Sequence, residues 1–255
     1  MSIPDSSPSS ILVDVELPTP TPLPAPLVAL LSSLRVVVVG WYPVPEQTSP
    51  GQARDQFGEE AQAALHTVVR RFRAAGAPSV TRRLVFTGDE LDTLARISAE
   101  EACNAVLIPG PVEHLRRLLV PLRGRHNVAD LVPFVADLVA ERAHTIDLTL
   151  LHVLEEDETS PDVQRELFGP IVERLAARGV DTALVERRVA TTRDPTATIV
   201  EAAAHHDLVV LGETEPSVRS VLFGTVPERI VRTVEVPVVV VRHLNDALND
   251  APSDA

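Results

Sequence analysis

Glycines that follow predicted strands mark the places where this chain could bind a ligand. Gly212 comes directly after the apolar run Leu208 to Leu211, and Gly224, with Thr225 and Val226 behind it, precedes a segment with a helical pattern. A glycine lets a ligand approach the backbone closely, and the free amides at the start of a helix attract phosphate. The spacing therefore predicts an anion site. The same glycines would also serve ordinary turns and caps, and taken alone they leave both interpretations open.

A positively charged side chain is predicted at the same place. Arg123 and Gly124 follow a second apolar run, Leu118 to Leu122. In an open sheet of parallel strands, ligands bind beyond the carboxyl ends of the strands. We therefore expect Arg123 to lie near Gly212, where its guanidinium could attract an anion.

Other reactive side chains favour structural roles. His152 lies inside an apolar run, which is typical of a hydrogen-bonded core histidine. His205 and His206 stand at a predicted helix end, where the helix dipole favours them. The acidic run Glu155 to Glu158 is predicted as a solvated loop, and Cys103 as a buried, inert thiol. Because no third ligand accompanies the histidines and no nucleophile stands beside a base, we predict neither a metal site nor catalytic residues.

The composition excludes several functions. Among 255 residues, 23 are basic and all of these are arginine, against 36 acidic residues, for a net charge of -13. Without lysine, neither a Walker-type phosphate site nor a Schiff base can form. The acidic balance also disfavours DNA, RNA and anionic lipid as partners. It suits a cytoplasm of high salt, so we predict a halophilic protein; a GC-rich genome would explain the missing lysine equally well.

The sequence gives no sign of export or of membrane insertion. Residues 1–10 are polar and contain proline, without the basic and apolar regions of a signal peptide. No apolar stretch reaches the roughly 18 residues that a membrane span needs. One cysteine also excludes a disulfide framework. We therefore expect a cytoplasmic protein.

Strands alternate with helices along the chain, which predicts parallel sheets covered on both faces. A long polar loop is expected at Trp41 to Gln56, followed by helices at Phe57 to Ala75 and, later, at Val163 to Arg178. Asp194 is a good N-cap for a further helix. The segment Ser217 to Val234 is expected to be mostly helical.

The order of these elements repeats. Gly76 and Gly179, 103 residues apart, each end a long helix, and Gly110 and Gly212, 102 residues apart, each follow the fourth strand. Only the second copy continues with another helix and a fifth strand. The sequence thus predicts two tandem Rossmann-like α/β domains, a degenerate one at residues 10–112 and a complete one at residues 113–244.

The second copy resembles a known family. The stretch Ile199 to Arg242, with its ending FGTVPERIVR…VPVVVVR, is similar to the C-terminal half of universal stress protein domains. LLVPLRG at Leu118 to Gly124 looks like the first strand of that family, and LLHVLE at Leu150 to Glu155 looks like the second. ILVDVE at Ile11 to Glu16 gives the first copy a weaker likeness. The resemblance implies a five-stranded Rossmann-like fold (adenine nucleotide alpha hydrolase-like) and dimers paired through the last strand.

Some members of that family bind ATP, and this sequence departs from their motif. Gly212 matches the first glycine of the motif, but Glu215 stands at the second. Gly224 follows Gly212 by 12 positions, one short of the spacing in the family, and Arg123 stands where the family has an aspartate; the first copy has Glu16 there. ATP or another adenine nucleotide, a different anion, or no ligand at all remain open, and no cofactor is required.

The last predicted strand suggests self-association. Val236 to Val241 is apolar and β-branched, carries no charge, and has Pro237 near its start, as an edge strand would. We expect a homodimer in which this strand pairs with its own copy. The alternative is that the first copy covers the edge within one chain.

The function expected from these observations is regulation without turnover. A non-catalytic universal stress-type protein would act through dimerisation, through sensing of an anionic ligand, and through a protein partner. The alternatives are an ATP-binding universal stress protein and an accessory regulator of a membrane transporter.

Overall fold

The computed structural model describes residues 9–45, 48–124, 128–155, 157–213 and 225–242. The elements of its first half are β1 (Ser10–Glu16), α1 (Ala25–Leu31), β2 (Arg35–Pro43), α2 (Pro50–Ala74), β3 (Ser79–Thr87), α3 (Glu90–Glu100) and β4 (Ala105–Ile108). Each strand in this half is thus followed by a helix until β4, after which the chain passes directly into the second half.

The second half starts again with a strand and ends with one. Its elements are β5 (Arg117–Leu122), α4 (Val128–Val139), β6 (Asp147–Val153), α5 (Ser160–Val163), α6 (Gly169–Ala176), β7 (Val185–Ala190), α7 (Pro195–Ala203), β8 (Leu208–Gly212), α8 (Thr225–Thr233) and β9 (Val238–Val241). A π-helical turn, Gln164–Phe168, joins α5 to α6, so the predicted helix at Val163 to Arg178 contains a widened turn.

The strands form one nine-stranded sheet in the order β3-β2-β1-β4-β9-β8-β5-β6-β7. Within each half the pairs are parallel, as the alternation of strands and helices predicted. The two halves have the same order, since β3-β2-β1-β4 corresponds to β7-β6-β5-β8. Among the described strands, only the β4–β9 pair, which joins the halves, is antiparallel. The Rossmann-like α/β class is therefore confirmed, and the two predicted sheets prove to be continuous.

The prediction that β9 forms a homodimer edge is wrong. One side of β9 pairs with β8, and the other pairs with β4 from Ala105↔Val241 to Ile108↔Val238. Both edges of the strand are therefore occupied within the chain. Because the first half ends at its fourth strand, β4 has an unpaired edge that accepts β9, and this is the alternative in which the first copy covers the strand.

Capping residues set the bounds of several helices. Ser49 caps α2 in a capping box with Gln52, and this starts the helix at Pro50. Since β2 also extends to Pro43, the long polar loop expected at Trp41 to Gln56 is much shorter than predicted. Gly76 and Gly179 have φ values of +94° and +86°, so both end their helices in the left-handed conformation, as predicted.

Helices cover both faces of the sheet. On one face α1, α2, α4 and α6 pack on alternate strand residues in a core that is continuous across both halves. On the other face α3 packs on the first half, and α7 and α8 pack on the second, in two separate clusters. The continuous core and the β4–β9 pair together join the two halves into one body.

Candidate functional site

The carboxyl ends of β5 and β8 mark the place where the order of the strands reverses. From β5 the chain proceeds outward to β6 and β7, then crosses back to β8 and β9 on the other side of β5. β5 and β8 pair only near their beginnings, at Leu118↔Leu208 and Leu119↔Val209. Such a reversal of direction opens a crevice beyond the strand ends, which is where open α/β sheets bind ligands.

Arg123 and Gly212 lie on the two sides of this crevice. Arg123 directly follows β5 and its side chain is exposed, while Gly212 is the last residue of β8 and is half-buried. Gly124 has a φ of +56°, a left-handed conformation that favours glycine and turns the chain away from β5. The structure thus brings these predicted residues to one edge of the sheet, and their role in binding stays a prediction.

Helix α8 opens at the same edge. It connects the parallel strands β8 and β9, so it runs antiparallel to them and its N-terminus at Thr225 lies toward their carboxyl ends. Val226 belongs to the first turn. Gly224 and Glu215 lie outside the described residues, so the expectations that rest on them stay predictions.

Sequence reasoning missed a pair of side chains beside the crevice. His152, near the end of β6, is 1% exposed, and its Nδ1 lies 3.0 Å from the carbonyl oxygen of Leu122. Its Nε2 lies 2.6 Å from Oε2 of Glu158. The same carboxylate oxygen accepts a 2.9 Å hydrogen bond from the amide of Glu155. His152 is the satisfied core histidine that was predicted, but Glu158 is fixed rather than part of a freely solvated loop.

These contacts explain the acidity of Glu158. The hydrogen bond from the Glu155 amide lowers the pKa of Glu158, and the bond from His152 lowers it further. His152 and Glu158 are six residues apart in the sequence, but Glu158 lies beyond the end of β6, so the period of the strand does not predict their contact. Only the fold of the intervening loop brings them together.

The remaining candidates have structural roles. His206 bonds to the carbonyl of Ala202 at 2.7 Å and to the hydroxyl of Thr149 at 3.0 Å. Asp194 caps α7 by accepting from the amide of Ala197. Burial raises the pKa of the Cys103 thiol to about 11, which keeps it protonated and inert. Within the described ranges no group of three potential ligand side chains could hold a metal ion.

The corresponding edge of the first half carries clustered carboxylates. Asp14 and Glu16 stand near the end of β1, and Glu90 opens α3. Burial raises the pKa of Asp14; burial, followed by the charges of Asp14 and Glu16, raises the pKa of Glu90. Clustered carboxylates repel anions, and this half has Glu16 in the place of Arg123, so it does not duplicate the candidate anion site of the second half.

The fold defines a Rossmann-like α/β protein whose candidate ligand site lies at a topological switch point. The sequence profile of the Universal stress protein family matches residues 114–242, just over half of the chain. The chain therefore belongs to the universal stress protein family. The match covers the second half, while the first half has the same strand order without such a match.

Solved structures extend the likeness in fold to the whole chain. A universal stress protein from Archaeoglobus fulgidus DSM 4304 is 15% identical, with a TM-score of 0.63, over 93% of this chain and 97% of that one. A functionally unknown protein from Pseudomonas aeruginosa PAO1 is 14% identical, with a TM-score of 0.57, over 95% of each chain. None of the curated proteins matches the sequence.

A shorter neighbour carries a ligand in its structure. A universal stress protein from Archaeoglobus fulgidus in complex with dAMP is 17% identical, with a TM-score of 0.39, over 49% of this chain and 97% of that one.

The helices of this chain were also compared with the requirements of a membrane span. In the parts of the chain that the structure describes, no helix has both the length and the apolar character that a membrane crossing requires.

Proposed function

We propose that this protein is a cytoplasmic regulatory member of the universal stress protein family that binds an anionic small molecule without turning it over. The site is the crevice between the carboxyl ends of β5 and β8. One observation carries the proposal: the two strands part beyond Leu119↔Val209, and the exposed cation Arg123 stands at the opening.

Absence of turnover is supported by how the neighbouring acid–base groups are used. His152 and Glu158 are two side chains at this edge with suitable chemistry, and they bond to each other and to the backbone. A general base must reach the proton that it removes. Both ring nitrogens of His152 are already occupied, which favours binding over catalysis.

The expected ligand carries a phosphate or a similar anion. Arg123 offers a guanidinium, which suits the planar, charge-assisted hydrogen bonds that phosphate oxygens accept. The amides at the start of α8 suit the same group. An adenine nucleotide fits this chemistry and the family, but arginine in the place of the family's aspartate favours a ligand that is more anionic at that position.

The division into two domains belongs to the same proposal. Residues 10–112 would be a degenerate domain that lacks a fifth strand and has an acidic edge, and residues 113–244 would be the binding domain. The first domain would act as a built-in partner, because β4 covers the edge of β9 that an isolated second domain would expose.

Calorimetric titration of the full chain with ATP, AMP and inorganic phosphate tests the proposal. We expect Arg123→Glu to weaken binding of the best ligand by about tenfold or more, since a charged hydrogen bond is replaced by repulsion. Arg187→Glu is the matched control: it makes the same charge change on the exposed strand β7 and should bind as the wild type does.

Two results would count against this function. Equal losses in both variants would reduce the role of Arg123 to overall charge. Release of hydrolysed nucleotide during the titration would show an enzyme. Tighter binding of ATP than of AMP and phosphate, without hydrolysis, would identify the ATP-binding alternative.

A further inference from the structure

His152 lies between two hydrogen-bond acceptors in the core beside the crevice. The Leu122 carbonyl oxygen faces Nδ1 at 3.0 Å, and Oε2 of Glu158 faces Nε2 at 2.6 Å. A carbonyl oxygen only accepts, so Nδ1 must carry a proton. The first link is therefore an N–H of His152 donating to the last residue of β5.

The second link requires a proton as well. Oε2 of Glu158 already accepts from the Glu155 amide, which favours the carboxylate over the carboxylic acid. A carboxylate is an acceptor, so Nε2 of His152 must donate to it. With a proton on each nitrogen the ring is an imidazolium, and a cation that is 1% exposed is balanced by Glu158.

Charged groups on the surrounding elements do not replace Glu158 in this role. Arg123 follows β5 with an exposed side chain, Glu155 and Asp157 in the loop after β6 are exposed, and Asp162 in α5 bonds to Thr159 and Arg165. Asp130 lies at the start of α4, and Arg188 lies on β7, the strand that pairs with β6. Glu158 forms the ion pair of the ring, with its Oε2 2.6 Å from Nε2.

We infer that His152 is a positioning residue of the anion crevice: as an imidazolium it ties the carboxyl end of β5, directly before Arg123, to the loop after β6. Loss of a ring proton would place the lone pair of Nε2 against the carboxylate of Glu158. The tie then breaks at the loop, and the backbone that presents Arg123 is held less firmly. The effect on affinity rests on the proposed function, whereas the tie itself does not.

The state of the ring is tested without any ligand. Nitrogen-15 NMR of the ring nitrogens in the full chain at pH 6.5 should show His152 protonated at both positions. In Glu158→Gln an amide replaces the carboxylate and can donate to Nε2, so that nitrogen should lose its proton. A wild-type ring that is neutral under these conditions would overturn the inference.

The positioning role is tested by how the loss of ligand affinity in a variant depends on pH. Affinity for ATP, or for inorganic phosphate if that binds better, is measured from pH 5.5 to 9 in wild type and His152→Gln. The Kd of His152→Gln divided by the Kd of wild type should be about ten at low pH and should approach one at high pH. Taking the ratio cancels the titration of the phosphate itself.

Other results separate the two hypotheses. Glu158 is partly exposed, so Glu158→Gln is expected to fold even if His152→Gln does not, and it should show the same pH-dependent ratio. A ratio that is constant across the range would overturn the positioning role. A wild type that binds none of the probes would contradict the proposed function and the effect on affinity, while the NMR result would still decide the tie.

Discussion

Asp14 shows how burial sets the charge of a single residue. It stands on β1 on the same face as the buried Leu12, where α3 covers the sheet. Burial raises its pKa, since a carboxylate that loses water is destabilised relative to the acid. The folded state therefore binds the proton more tightly than the unfolded state. Stability contributed in this way is present at low pH and falls as pH rises from the usual range of a carboxyl group through the raised pKa.

Replacing Asp14 with asparagine should thus stabilise the protein at pH 7. The amide removes the buried charge at nearly constant volume, and each kcal/mol gained in the free energy of unfolding would raise Tm by roughly 2–4 °C. Melting curves at pH 7 and pH 4 check the sign, because the gain should shrink as wild-type Asp14 becomes protonated. The variant should also lower the pKa of Glu90, which the charge of Asp14 raises in addition to burial.

Asp55→Asn is the control for Asp14, since Asp55 is exposed on α2. It should leave Tm unchanged at both pH values. A gain at pH 7 that persists undiminished at pH 4 would contradict the assignment of the raised pKa to Asp14.

At the scale of elements, the junction of β4 with β9 depends on close backbone contact. Gly110 follows β4, and a Cβ added there would lie 2.6 Å from the backbone nitrogen of Pro237 and 2.8 Å from the carbonyl carbon of Val236. Arg242, just past β9, extends the junction: its amide bonds to the carbonyl of Asn104, and its guanidinium to the hydroxyl of Ser98. The two halves are held by specific contacts as well as by the shared core.

Gly110→Ala should therefore destabilise the chain by about 1–3 kcal/mol, because the new methyl group meets backbone atoms that cannot rotate away. Gly58→Ala is the matched control. Its Cβ would lie 3.7 Å from the flexible side chain of Arg54 inside α2, so it should be neutral or stabilising by about 0.5–1 kcal/mol. Urea unfolding measures both, and an unchanged Gly110→Ala midpoint would contradict the close contact.

The elements were predictable where the signal is local. The apolar run of β8, the Asp194 cap and the helix-ending Gly76 each follow from neighbouring residues. The antiparallel pairing of β4 with β9 joins residues more than 120 positions apart, and no periodicity encodes it. The same holds for the His152–Glu158 contact, whereas Arg123 and Gly212 could be assigned to one edge because parallel strands end together.

At the scale of the whole molecule, the outer strands oppose further pairing. The sheet ends in β3 and β7, and each of these strands carries adjacent arginines, Arg82 with Arg83 and Arg187 with Arg188. Charged side chains on edge strands hinder the addition of another chain. With β9 internal, the exposed backbone edges are thus the two that are electrostatically protected.

The net charge of -13 leads to a prediction about salt. The 36 acidic residues outnumber the 23 basic ones, and repulsion within this excess of negative charge destabilises the compact state, while salt screens it. Salt also weakens ion pairs such as Arg96–Glu100 and Arg165–Asp162, but their side chains are more than 40% exposed, and such pairs contribute only about 0–1 kcal/mol each. The repulsion should dominate, so Tm should rise between 0.05 and 2 M KCl.

The double variant Glu59→Gln, Glu60→Gln reduces the net negative charge to -11 at exposed positions on α2, and its Tm should rise less with salt. A wild-type Tm that does not change with KCl would contradict both the electrostatic argument and the prediction of a halophilic protein.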